Sequence, residues 1–331
     1  MWHRRAPWSL LRSLLCPLLV AASCRSAQAA EPWRQRDDSY YAAHLAVIGA
    51  ELAATAAAQW IGGEPVGRWD LRPFSPDVAV RARFSNAAAQ ASDRLRLVSL
   101  VLPVAAQLSG GFDRAFGNAA LIYTEALTTS WLLTTLTKEI VRRPRPYTHS
   151  LDPVVREFAA EQGAEAYVSF YSGHASATHA AAMSGSLLYA ARTRELWARH
   201  FMWGGEFLLA GLTAQLRISA GRHYRTDVWA GSLLGAATGL AIPVLHGLPL
   251  SRVRGSEVAV AVGAVVLTQV GAELVDLCAL LKAVGACSEP IPTSLEPART
   301  TRVPGAFSAA QWSVLPSVVP GGAGLQASGS W

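Results

Sequence analysis

The chain has 331 residues, of which 51% are apolar and 16% charged, and carries a net charge of +6. An ordinary soluble domain is roughly 25% charged; the shortfall points toward membranes, while a mean hydropathy of +0.23 leaves a soluble helical protein open. The positive charge is almost all arginine, with lysine only at 138 and 282, and no basic run is interleaved with aromatics, so anionic lipid or an anionic substrate fits and nucleic acid does not.

Residues 1–29 have the pattern of an export signal: a basic start (Arg4, Arg5, Arg12), a short apolar core at 14–22 and small residues (Ala27, Ala29) before a cleavage point. Cys24 offers a lipoprotein alternative, which the preceding Ala21-Ala22-Ser23 fits poorly. After cleavage only Cys278 and Cys287 remain, either bridged in an oxidising compartment or left as two thiols.

Apolar, helix-like segments then recur at 41–60, 95–108, 118–137, 174–191, 203–220, 227–247 and 256–282. Strand alternation is absent among them, so the expected class is all-α: a bundle of about six core helices, transmembrane in character, whose many small residues permit close helix packing. The expected division is 1–29 signal, 30–94 N-terminal helix and connecting segment, 95–287 helical-bundle domain, and 288–331 a tail rich in Pro, Gly and Ser. In that tail, Pro-Gly-Gly at 320–322 between two β-like runs predicts a hairpin, with a disordered tail as the alternative. Segment 41–60 carries His44 and Glu51, and 118–137 carries Glu125 and many threonines; such groups in a span either pack inward or mark a segment that does not span.

Three polar clusters interrupt the apolar segments. In "KEIVRRPRPY" (138–147), Lys138 ends a helix and Pro144 and Pro146 stiffen the loop that carries Arg145. In "YSGHASATHA" (171–180), Ser172 is a helix N-cap, Gly173 allows close backbone approach and His174 falls in the first turn, where free N–H groups attract anions. His179 is off that face and reads as packing or surface. In "LRISAGRHYRTDVWAG" (216–231), Arg217 closes one helix, His223 lies in the loop, and Asp227 opens the next helix four residues later, where it is expected to accept a hydrogen bond from the imidazole and fix its tautomer. Antiparallel packing would bring all these helix ends to one side, making an oxyanion site with an activated histidine; the residues alone do not choose a phosphate ester over another oxyanion.

Lys138 with Arg145-Pro146, then Ser172-Gly173-His174, then Arg217 with His223 and Asp227, together resemble the three-part signature of the type 2 phosphatidic acid phosphatase superfamily, which also includes vanadium haloperoxidases and soluble bacterial acid phosphatases. The resemblance covers roughly 90–247 and departs from the usual pattern at Tyr171, where proline is common, and at Leu216, where serine is common. It implies hydrolysis of a phosphate monoester or pyrophosphate, with a lipid phosphate as the favoured substrate. His223 would be the nucleophile that becomes phospho-histidine, Asp227 its orienter and His174 the acid. Lys138, Arg145, Arg217 and the backbone N–H groups of Ser172 and Gly173 would hold the phosphate. It implies no metal or other cofactor, with vanadate binding as a phosphate mimic. A soluble exported acid phosphatase and a vanadium-dependent haloperoxidase are the alternatives.

Basic loops at 192–200 and 246–255, opposite the motifs, would lie in the cytoplasm, placing the site on the periplasmic face of an inner membrane; a soluble periplasmic protein is the alternative. With an exported N-terminus, one of the first three apolar segments must then fail to span, and 41–60 is the expected one.

Overall fold

The computed structural model describes residues 36–62, 66–69, 75–81, 83–274, 312–319 and 322–329. The expected signal at 1–29 and the Cys278/Cys287 pair lie outside these. Nine α-helices occur among the described residues: α1 (Asp38–Gly62), α2 (Ser75–Val78), α3 (Asn86–Leu108), α4 (Arg114–Val141), α5 (Pro153–Glu161), α6 (Gly173–Arg192), α7 (Leu196–Ser219), α8 (Arg225–Leu245) and α9 (Gly255–Leu274). Seven of them are long, one more than the six expected, because α1 joins the bundle.

The helix starts follow from local chemistry. Ser85 accepts from Ala88 N, Asp113 from Phe116 N, and Asp152, with Pro153 in the first turn, from Val154 N, each satisfying an amide that the helix cannot. α4 ends where Arg142 turns left-handed at φ 49° and its N–H bonds the Lys138 carbonyl. α3 begins at Asn86, so the boundary expected at 94/95 falls inside a helix; the polar residues Ser92 and Asp93 belong to the bundle.

Consecutive long helices from α3 to α9 alternate in direction. The far end is tied by Arg192, whose Nη2 donates to Asp113 Oδ1 at 2.9 Å, and by a buried Arg199–Glu257 pair. A core of Ile122, Tyr123, Leu187, Leu188, Trp203 and Phe207 fills the space between α4, α6 and α7. α6 and α8 meet almost backbone to backbone: a Cβ added at Gly231, Gly235 or Gly239 would lie 2.5, 2.1 or 2.5 Å from the carbonyl oxygens of Ser172, Ser176 and Ala180. Glycine at every fourth position of α8 thus sets the spacing of the two helices that carry the central polar groups.

α1 lies parallel to α4 along much of its length. Tyr41 bonds Asn118, His44 Nδ1 is 2.8 Å from Glu125 Oε2, Glu51 accepts from Thr129 at 2.6 Å, and Gly62 abuts Glu139. The polar residues of segments 41–60 and 118–137 therefore face one another. The start of α1 lies toward the end opposite Lys138, so α1 runs as far along the bundle as its neighbours rather than standing apart from them. In a spanning bundle the start of α1 and the Lys138 end would lie on opposite sides of the bilayer.

Residues 291–331 form a separate unit. In it, Trp312–Val319 pairs antiparallel with Gly322–Gly329.

Candidate active site

The three polar clusters converge at one end of the bundle. Ser172 N donates to the Asp227 carbonyl at 3.0 Å, joining the start of α6 to the start of α8. The Ser172 hydroxyl caps α6, and a Cβ at Gly173 would meet Thr134 Cγ2 at 3.3 Å and Lys138 Nζ at 3.9 Å, so the Lys138 ammonium sits directly over the glycine. The amides of the first turn of α6 and that ammonium share one corner, the arrangement an oxyanion requires.

Arg145 lies on the proline-stiffened loop. Its Nε and Nη2 each reach Glu165 at 2.7 Å, on the carbonyl and the carboxylate, and its own N–H donates to the Ala166 carbonyl at 2.8 Å. The Arg145 guanidinium holds the Glu165 carboxyl below the usual carboxylate range. Arg217, at the end of α7, donates from Nη1 to Ser92 Oγ at 3.2 Å and stands 3.7 Å from Asp93. Its Nε is buried without a hydrogen bond.

His223 is 1% exposed. The turn that presents it depends on Gly221, at φ +65°, where a Cβ would strike the Arg83 carbonyl oxygen at 1.9 Å. Burial, and then the charges of Arg145, Arg217 and Lys138, push the imidazole well below the ordinary histidine range. Three cations drawn from two sequence clusters thus act on one ring, which is held neutral.

The expected Asp227–imidazole hydrogen bond does not form. His223 Nδ1 is 3.7 Å from Asp227 Oδ2 but 2.8 Å from the carbonyl oxygen of Ser169, which accepts the Nδ1 proton. Asp227, fully buried, instead accepts from Arg143, from Ser169 Oγ at 2.5 Å and from the Tyr224 amide at 2.9 Å. The last contact is a capping interaction: residue 227 is the third position of α8, where a carboxylate reaches back to the N-cap amide. That pull keeps the carboxylate off the ring. Asp227 therefore acts on the histidine through Ser169, whose hydroxyl it holds and whose carbonyl holds the ring.

Four further residues escape a motif reading. Arg143 is buried and bridges Asp227 and Asp77, with Asp77 Oδ2 at 2.9 Å, and its guanidinium lies 4.0 Å over the Tyr224 ring. Ser169 lies in the loop before the second cluster. Asp93, on α3, accepts from His174 Nε2 at 2.6 Å and so orients the second imidazole. The signal for Arg143 was its place between Arg142 and Pro144, two residues before Arg145; Asp93 and Asp77, more than 40 residues upstream of the first cluster, had none. His179 is buried and its Nδ1 faces the Ala175 carbonyl at 2.8 Å, a packing role.

The family model of the PAP2 superfamily matches residues 119–248, from the second turn of α4 to just past α8. All eight residues of the three clusters fall within it, whereas Asp77, Asp93, α1 and α9 lie outside. No curated protein and no solved structure matches the chain.

Proposed function

Since residues 119–248 belong to the PAP2 superfamily, we propose that the chain hydrolyses a phosphate monoester or pyrophosphate by way of a phosphorylated His223. One observation carries the reading: a buried imidazole whose Nδ1 proton is given to the Ser169 carbonyl, leaving a bare Nε2 lone pair among Lys138, Arg145 and Arg217. The three cations and the first amides of α6 would hold the non-bridging oxygens, whose charge is spread in the transition state. His223 Nε2 forms a bond to phosphorus as the bond to the leaving oxygen breaks. His174 enters this step as the imidazolium, holds one N–H on Asp93 and gives the proton on its other nitrogen to that oxygen. Water then attacks the phospho-histidine, His174 recovers a proton from it, and inorganic phosphate leaves. Vanadate, a phosphate mimic, would compete for the same cradle.

The outer faces of the bundle support a lipid substrate. α1 and α8, of 25 and 21 residues, are long and apolar enough to cross a bilayer. Large apolar side chains project outward, among them Leu45 and Trp60 on α1, Leu97 on α3, Leu233 on α8 and Val262 and Leu267 on α9. So much exposed apolar surface suits contact with acyl chains better than contact with water. Phosphate release by the purified protein from lipid phosphates, polyprenyl pyrophosphates and water-soluble esters tests the reading. The expected result is release that favours the lipid esters and is inhibited by vanadate; no release from any ester, or release unchanged in His223→Ala, overturns it.

A further inference from the structure

A second polar cluster lies toward the other end of the bundle, and the phosphate chemistry does not use it. Tyr40 and His44 stand on the first two turns of α1, Glu125 three turns into α4, and His246 at the C-cap of α8. Glu125 precedes Lys138 by 13 residues, a displacement of about 20 Å along the helix axis. His44 Nδ1 and His246 Nε2 both approach the same oxygen, Glu125 Oε2, at 2.8 and 3.3 Å. One ligand atom from each residue lies within 4.8 Å of the other two, and the two rings sit 4.3 Å apart with a 47° tilt. Glu125 and His246 are 7% and 3% exposed.

His246 Nε2 is buried and makes no hydrogen bond, although it is 3.3 Å from the carboxylate oxygen. The other ring nitrogen, Nδ1, is engaged by the Tyr40 hydroxyl. A proton on Nε2 would face the carboxylate oxygen outside hydrogen-bond geometry, while a proton on Nδ1, donated to Tyr40, turns the Nε2 lone pair toward it. In the second tautomer a cation between the two lone pairs removes their repulsion. Arg36 does not fill this role, since its guanidinium donates to the His246 carbonyl at 2.6 Å and lies over the Tyr40 ring.

We propose that His44, Glu125 and His246 bind one divalent transition-metal ion of the zinc type, which clamps α1 to α4 and α8. Two imidazoles and one carboxylate are a ligand set for such ions, whereas calcium and magnesium take oxygen ligands. Metal bonds of about 2.0 Å in tetrahedral geometry set donor atoms about 3.3 Å apart, the separation of His246 Nε2 and Glu125 Oε2. To match, the His44–Glu125 contact opens by about 0.5 Å, the two imidazole nitrogens, within 4.8 Å of each other, close toward about 3.3 Å, and water takes the fourth position. Tyr40 fixes the tautomer of His246 from behind, as partners of metal-bound histidines do. Binding displaces any proton shared between the imidazoles and the carboxylate. Glu125 and His246 lie inside the matched region 119–248 and His44 outside it, so the clamp fastens a helix outside that region to two helices within it.

The test uses the full-length protein, freed of metal with a chelator and titrated with Zn²⁺ and, separately, with Co²⁺. The expected results are one tightly held Zn²⁺ per chain by elemental analysis, a tetrahedral Co²⁺ absorption spectrum, and a Tm that falls with chelator and recovers with Zn²⁺. His44→Ala and His246→Ala should lose all three responses, while His223→Ala keeps them. If the alanine variants fail to fold, Tyr40→Phe, which retains every ligand, should weaken Zn²⁺ binding by about tenfold. Substoichiometric metal in the parent protein, undiminished binding in folded His44→Ala, or unchanged affinity in Tyr40→Phe overturns the proposal. Phosphate release reports on the distant site, so the metal result stands whichever way that assay falls.

Discussion

Asp227→Asn separates a direct from an indirect role for the buried carboxylate. Asp227 makes three contacts, to Arg143, the Ser169 hydroxyl and the Tyr224 amide. An amide side chain can keep its oxygen toward Ser169 and Tyr224 only by turning its NH₂ against Arg143. Breaking a buried ion pair from one side costs about 3–5 kcal/mol. Arg143 keeps Asp77 and Thr226 as partners, so the cost sits at the low end, about 3 kcal/mol, or a Tm lowered by about 6–12 °C for a domain of this size. The His223 ring, bonded to the Ser169 carbonyl, keeps its tautomer. The rate should therefore fall less than about 10²-fold, against the about 10⁴-fold loss seen when a directly bonded orienting carboxylate is amidated. Thermal unfolding and kcat for phosphate release, measured well below the variant's Tm, provide the comparison. A loss near 10⁴-fold with an unchanged Tm would refute the indirect role.

Other perturbations probe separate parts of the account. Gly235→Val places a side chain where even a Cβ would lie 2.1 Å from the Ser176 carbonyl; with only backbone to yield, the loss should reach the upper end of overpacking costs, about 3 kcal/mol, read as a lowered Tm, and an unchanged Tm would mean that α6 and α8 are not held this close. Arg145→Gln removes one of the cations that disfavour imidazolium at His223, so the His223 pKa rises and the acid limb of kcat/KM moves to higher pH, with kcat/KM itself lower by about 10²–10³-fold; a limb that stays put or moves to lower pH contradicts the electrostatic reading. Single cysteines introduced at Asp38 and Leu151 in a chain lacking its native cysteines should label from opposite sides of a sealed vesicle, because α1 starts at the end opposite the phosphate site; labelling of both from one side would show that the bundle does not span.

The helices and the convergence of the three clusters were legible in the sequence, because each rests on local signals: apolar runs, Ser172 as cap, paired prolines around Arg145. Antiparallel connections then place the ends of α4 and α7 and the starts of α6 and α8 together. The contacts that hold the site were not legible for equally physical reasons. A spacing of four residues made Asp227 and His223 look like partners, but the N-cap amide and Arg143 compete for the same carboxylate and win. The true partner of the ring is a backbone carbonyl, at Ser169, which leaves no trace in residue type. Asp93 and Asp77 reach the site from helices distant in the chain, where no local pattern marks them. The polar residues on 41–60 and 118–137 were visible, yet only the fold shows that His44 meets Glu125 and Glu51 meets the threonines, so that the charge within these apolar helices packs inward.

The central claim is that His223 becomes covalently phosphorylated. Brief incubation with a ³²P-labelled phosphate ester, an alkaline quench and peptide mapping test it most directly. The account predicts an acid-labile, alkali-stable phosphoryl group on His223, absent from His223→Ala, which also loses phosphate release. Label on another residue, or steady phosphate release by His223→Ala, would contradict it.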